Sequence, residues 1–282
     1  MPEGPEVNVI KDGLNHVIKN NLVVSVDLPE GSKFLKKAPD GYNDFKTDLP
    51  LKCLEVKSKG KLIYFVFEKG WYLACRLLMS GGWFLEKAAK HNHFEMTYKK
   101  NEKDKETSSI WFVDPRHFGT LKFTQDKSVL ESILNDIGPD LLNNNISDED
   151  YLKTMKNSKN GKKKIAVVLM DQSVFSGVGN YLKSEILYQA RVSPHAIINN
   201  IPDQKILEIF KITLEKINTS YKSGGASVRD YSDIKGKEGT FSFTFAVYKK
   251  KKDPLGNKIV MEKTKDGRTT HWVPELQESF EK

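Results

Sequence analysis

The chain has 282 residues, enough for two domains that each bury a core. Its 45 Lys and Arg exceed its 37 Asp and Glu for a formal charge of +8, a balance that suits a polyanion such as nucleic acid. It is 38% hydrophobic and 29% charged, with no apolar run near the roughly 18 residues of a membrane span, so a soluble globular protein without membrane segment or signal peptide is expected.

Residues 5–20 are expected to form the first helix. Pro5 suits a first helical turn, and Val7, Ile10, Leu14, Val17 and Ile18 recur at helical spacing. Short apolar or alternating runs follow at 22–28, 51–56, 62–68, 71–79, 93–98, 110–113 and 120–124. Gly, Pro and charged turns separate them, which predicts a sandwich or barrel. The polar stretch 101–108 reads as a hairpin tip, and Ile137-Gly138-Pro139-Asp140 as a linker. Helical patterns then occupy 148–155, 165–172, 181–190 and 204–221, the first opened by a capping-box-like Ser147 and Asp150. From Thr240 onward the pattern returns to β. Phe241, Phe243, Phe245 and Val247 alternate, 249–257 is a basic turn, and 259–261 with 269–273 predict a hairpin about Asp266-Gly267.

Several segments carry candidate chemistry. The chain opens Met1-Pro2-Glu3-Gly4-Pro5-Glu6. Once Met1 is removed, Pro2 presents a secondary amine with a pKa of roughly 7.7–8.0 beside two carboxylates. Such an amine can attack a sugar carbon and form a Schiff base while a carboxylate moves protons. A plain helix start with a terminal Pro explains the same six residues. In Gly177-Val178-Gly179-Asn180 the glycines permit close backbone approach, and Asn180 at a helix N-terminus can meet a phosphate or serve as an ordinary cap. In Asp114-Pro115-Arg116-His117-Phe118-Gly119, Arg and Phe two apart share one face and can enter a base stack; a packed hairpin is the alternative. Met79 before Ser80-Gly81-Gly82 is either a second wedge or core. Lys59-Gly60-Lys61 and Arg268 offer cations at turns, for phosphate or for solvent. The two cysteines, Cys53 and Cys75, sit in apolar runs without CxxC spacing, so buried thiols in an intracellular, reducing compartment are expected and a four-ligand zinc site is not.

Taken together, these motifs resemble the formamidopyrimidine-DNA glycosylase and endonuclease VIII family of DNA-repair enzymes. They run in the family's order along nearly the whole chain: PEGPEV at the start, Gly60-Lys61, Met79–Gly81, DPRxFG at 114–119, LMDQ and GVGNxxxSE within 169–185, GGASxRD at 224–230, and GRTTHWVPELQ at 267–277. The resemblance implies an α+β fold. A two-layer β-sandwich with a flanking helix would fill 1–136, a helix-two-turns-helix domain 137–240, and a hairpin finger 241–282, with DNA in the cleft between the domains. It implies a bifunctional glycosylase and abasic-site lyase of base-excision repair, acting by β,δ-elimination; a non-catalytic damaged-DNA-binding module is the alternative. Pro2 would be the nucleophile, Glu3 the proton shuttle, supported by Glu6, and Lys61 would join the catalytic set. His93, Arg116, Asn180 and Arg268 would bind DNA, and Met79, Arg116 and Phe118 would fill the void left by a flipped nucleotide. Ser227 and Arg229 would lie near the lesion. Bacterial members usually end in a four-Cys zinc finger, whereas 247–277 has no Cys. The tail therefore resembles the zincless finger of Nei-like relatives, held by residues such as Phe245, Trp272 and Val273, with no metal or cofactor. Oxidised pyrimidines, formamidopyrimidines and hydantoins are the expected lesions, in double- or single-stranded DNA, bound by a monomer in nucleus or cytoplasm. The Lys, Asn and Ile bias suggests an AT-rich genome, such as that of a giant virus.

Overall fold

The computed structural model describes residues 1–226 and 232–280. Ser227 and Arg229 lie outside the described residues. The chain forms two compact units, Met1–Asp136 with Ser223–Thr240, and Ile137–Lys222 with Phe241–Lys282. The 223–240 segment, assigned to the helical domain from sequence, thus clusters with the first unit.

The first unit contains α1 (Gly4–Ile18), β1 (Leu22–Asp27), α2 (Tyr42–Thr47), β2 (Leu51–Lys59), β3 (Leu62–Phe67), β4 (Tyr72–Arg76), β5 (Gly82–Phe84), β6 (Asn92–Lys99), β7 (Ser108–Val113), β8 (Thr120–Thr124) and α3 (Lys127–Asn135). The strands form one antiparallel order, β5-β7-β6-β1-β2-β3-β4-β8. β1 and β2 share only the pairs Leu22↔Lys52 and Val23↔Leu51, so the sheet folds there into two layers. Aromatic rings fill the space between them. Phe65 meets Trp83 at 5.2 Å and Phe94 meets Phe123 at 5.8 Å, each pair bridging the layers. This is the expected two-layer sandwich.

The apolar stripe of α1 explains its place. Val7, Ile10, Leu14 and Ile18 are at most 1% exposed. Asn15 fixes the register: its Nδ2 donates to the Val56 carbonyl at 2.6 Å, and its Oδ1 accepts the Val56 N–H at 2.8 Å. Ile234 closes the core from far along the chain. Leu85 N–H donates to its carbonyl, and a Cβ on Gly13 would come within 2.9 Å of its side chain.

The second unit contains α4 (Asp148–Met155), α5 (Ile165–Met170), α6 (Asn180–Gln189), α7 (Asp203–Lys222), β9 (Val260–Lys263) and β10 (Thr269–Trp272). Tyr151 stacks between Phe175 and Phe210, at 4.7 and 4.1 Å, and joins α4, the α5–α6 turns and α7.

Some expectations are corrected. α2, α3 and β5 were not expected from the sequence; α2 and β5 are too short to carry a clear period, and α3 has only one buried apolar residue, Leu130. The 71–79 run stops at Arg76, because Gly81 N–H bonds back to the Leu77 carbonyl in a tight turn. The linker at 137–140 is fixed structure: Gly138 N–H donates to Gln172 O, Ser176 Oγ to Gly138 O, and a Cβ at Gly138 would lie 2.7 Å from the Ser173 carbonyl. The alternation at 241–247 is no strand. Phe241–Thr244 is a 3-10 turn, and the buried Glu185 carboxylate takes the N–H groups of Ala246, Val247 and Tyr248 that a ladder would use.

Candidate active site and nucleic-acid interface

The start of α1 concentrates buried carboxylates. Glu3 is the N-cap and Glu6 the third helical residue, joined in a reciprocal capping box. Glu6 Oε2 accepts the Glu3 N–H at 2.7 Å, and its Oε1 accepts the Ala226 N–H at 2.7 Å. Glu3 is 2% exposed and Glu6 1%. Such burial of carboxylates is tolerable at a helix N-terminus, where backbone N–H groups and the dipole favour the anion. Pro2 is buried beside them. While Met1 is attached its nitrogen is an amide without a nucleophilic lone pair; removal of Met1 creates the amine.

One turn further, buried Asn8 donates to Gly4 O and accepts from Ser58 Oγ, both at 3.0 Å. That contact ties the end of β2 to the first turns of α1. Lys61 follows in a two-residue hairpin closed by the pair Lys59↔Leu62, with Gly60 at φ 55°. Lys59 Nζ donates to Leu134 O at the end of α3, which further fixes the hairpin. Sequence periodicity did not single out Asn8; its burial on the apolar side of α1 emerges only with β2 in place.

Met79, Arg116 and Phe118 lie on two loops of the first unit. Phe118 is 51% exposed, and the Arg116 guanidinium lies 5.2 Å from its ring centroid. Buried Asp114 organises both loops. Its Oδ1 accepts from Ser80 Oγ at 2.7 Å, and its Oδ2 from Gly119 N–H at 2.7 Å and Lys33 Nζ at 3.1 Å. Burial pushes its carboxyl up, but the hydrogen bonds from Ser80, Gly119 and Lys33 outweigh burial and hold it below its usual value.

His93 is a correction. It is 0% exposed, and both ring nitrogens are engaged by backbone. Nδ1 accepts the Lys33 N–H at 3.1 Å, so Nε2 carries the proton toward Asp114 O at 3.0 Å. Burial lowers its pKa and keeps the ring neutral. His93 is therefore a brace beneath the Asp114 loop, with no nitrogen facing solvent for a phosphate.

In the second unit, α5 and α6 are joined by two turns. Gln172 staples them: its Oε1 accepts Gly177 N–H and its Nε2 donates to Met170 O and Val178 O. Gly177 has φ 112°, a conformation that favours glycine. Asn180 opens α6, and its Nδ2 donates to Thr269 O at 2.9 Å. Its Oδ1 is buried with no hydrogen-bond partner among the described residues. Arg268, next to Thr269, is exposed at the β9–β10 turn. Thr264 N–H bonds to Arg268 O and Gly267 N–H to Thr264 O, which fixes that turn. Lys183 of α6, also passed over in the sequence reading, is paired with Asp266 of the turn.

The finger is packed without cysteine. Val247, Ile259 and Val273 form a small core, and Asp253 organises the 253–257 loop through Leu255 N–H, Asn257 N–H and Tyr188 OH. Cys53 and Cys75 are buried in the sandwich, where burial pushes both thiols up to about 12. Among the described residues no group of three or more His, Cys, Asp or Glu is arranged to hold a metal ion, and no helix is long and apolar enough to cross a membrane.

Comparison with known proteins agrees with this fold. Three family models match in order: the formamidopyrimidine-DNA glycosylase N-terminal domain at 1–121, its H2TH domain at 137–232 and its C-terminal domain at 232–278. A formamidopyrimidine-DNA glycosylase of Bacillus cereus is 28% identical over 287 residues, covering 98% of this chain and 99% of the relative. One of Streptococcus agalactiae is 28% identical over 258 residues and 90% of each chain. A Lactococcus lactis FPG mutant, solved in complex with a Fapy-dG containing DNA, superposes with a TM-score of 0.85 at 26% identity over 98% of this chain and 100% of that one.

Proposed function

Because the chain belongs to the formamidopyrimidine-DNA glycosylase family, enzymes of base-excision repair, we propose that it removes oxidised bases from DNA and then cleaves the abasic strand as a lyase. The observation that carries this reading is the buried carboxylate pair locked beside Pro2. After Met1 is removed, the Pro2 amine attacks C1′ of the damaged nucleoside and the base leaves with its glycosidic electrons. The proton that the Pro2 nitrogen sheds after bonding to C1′ passes to the Glu3 carboxylate and from it to the sugar ring oxygen; the bond from C1′ to that oxygen breaks, and an iminium forms between Pro2 and C1′. β- and then δ-elimination release the flanking phosphates, and water frees Pro2. Glu6 takes no proton in this scheme. Its two backbone hydrogen bonds hold Glu3 and the 226 segment in position. Lys61, Asn180 and Arg268 bind phosphates, and Met79, Arg116 and Phe118 occupy the stack vacated by the flipped base. Ring-opened purines and oxidised pyrimidines are the proposed lesions. The cysteine-free tail acts as a zincless finger.

Borohydride reduction tests the covalent step. Protein lacking Met1, incubated with a duplex carrying one ring-opened purine, should become irreversibly linked to the DNA. Binding without any trapped adduct would favour the alternative, a scaffold that recognises damage without excising it.

A further inference from the structure

We infer that Ser80, Asp114 and Lys33 form a clasp that sets two loops as one unit, and so act as positioning residues for base extrusion. The inference rests on the reading of Met79, Arg116 and Phe118 as void-filling residues. Both loops pass between the layers of the sandwich. One leads from β4 to β5 and carries Met79; the other leads from β7 to β8 and carries Arg116 and Phe118. A crossing loop has no ladder partner; each of these two closes a local backbone turn, Gly81 N–H to Leu77 O and His117 N–H to Asp114 O, and side-chain bonds must join one loop to the other.

The clasp supplies those bonds. Ser80 Oγ donates to Asp114 Oδ1 at 2.7 Å and accepts the Arg116 N–H at 3.0 Å. It thereby links the residue after Met79 to the backbone of Arg116. Asp114 Oδ2 gathers the far end of the second loop through Gly119 N–H, and Lys33 Nζ bonds both that oxygen and the Gly119 carbonyl. Gly119 must lack a side chain, because a Cβ would stand 2.6 Å from the Phe112 ring. Asp114 is 0% exposed, so these charge-assisted bonds act with little water competition. Wedging a duplex open works against base stacking, and a loose loop would lose insertion free energy to its own ordering. The clasp pre-orders both wedges, with Arg116 and Phe118 already packed on one another.

The test is a double-mutant cycle on single-turnover excision from a lesion duplex. Ser80→Ala should slow excision about ten-fold in the wild-type background, the scale of two lost hydrogen bonds. In a Met79→Ala/Arg116→Ala/Phe118→Ala background the same change should cost no more than about two-fold, since the side chains it positions are gone. Asp114→Asn should repeat the pattern with a larger first loss, and Ser80→Ala carries the test alone if that variant misfolds. Equal losses in both backgrounds, or no loss from Ser80→Ala in the wild type, would overturn the inference. If Met79→Ala/Arg116→Ala/Phe118→Ala itself leaves duplex excision unchanged, it is the void-filling reading that fails.

Discussion

Lys183 Nζ lies 2.7 Å from an Asp266 carboxylate oxygen, with the Lys183 side chain 0% and the Asp266 side chain 3% exposed. This pair links α6, whose first residue is Asn180, to the turn that presents Arg268. Removing one partner leaves the other charge buried. Lys183→Met should therefore cost about 3–5 kcal/mol in urea unfolding, and Lys183→Met with Asp266→Asn less than the sum of the single changes. Additive losses below about 1 kcal/mol would identify the pair as an ordinary exposed bridge.

Glu3→Gln should nearly abolish excision while leaving affinity for an abasic-analogue duplex within about two-fold, because it removes a proton donor and no cation. The amide can still cap α1, so the fold should survive. Normal turnover by this variant would falsify the mechanism.

Arg268→Ala should weaken binding of damaged duplex by about one to two decades, the value of one charge-assisted phosphate contact. The salt slope of binding should also fall by about one phosphate's worth. The fixed turn at Thr264 and Gly267 is the reason to expect a directed contact. A titration across a salt series with slope and affinity unchanged would assign Arg268 to the solvated surface.

Binding and excision should survive dialysis against a strong chelator, with no stoichiometric zinc by elemental analysis. The finger's contacts are the Val247, Ile259 and Val273 core and the Glu185 bonds to 246–248. Loss of activity with loss of one bound zinc per chain would refute the zincless reading.

Stability should fall between pH 7 and pH 5. Burial lowers the pKa of His93 and of His271 below the usual 6.5. A lowered base is neutral in the folded state while the unfolded chain takes up protons. Its contribution is complete above about pH 6.5 and is lost as pH falls from there through the folded pKa. Denaturation midpoints at pH 5, 6 and 7 would show it. His93→Gln should flatten the part of the slope that belongs to the first unit, and an identical slope in that variant would remove His93 as its source.

Much of this protein was legible in its residues. Helical spacing of Val7 to Ile18 placed α1, alternating runs placed most of the sandwich, and the ordered motifs identified the family, because local period and short motifs survive without tertiary context. Non-local bonds decided the rest. The 241–247 alternation imitates a strand, but Glu185, some 60 residues earlier, takes its N–H groups. The family resemblance implied that His93 binds DNA, yet the Lys33 N–H and the Asp114 carbonyl engage both of its nitrogens. Gly138 and Pro139 imitate a linker until Ser176 bonds their carbonyls. Asp114 and Lys183 appear as ordinary charges in the sequence, and burial against partners from distant segments makes them organising residues. Period and motif are properties of neighbours along the chain, whereas burial and hydrogen-bond satisfaction depend on which distant segment arrives.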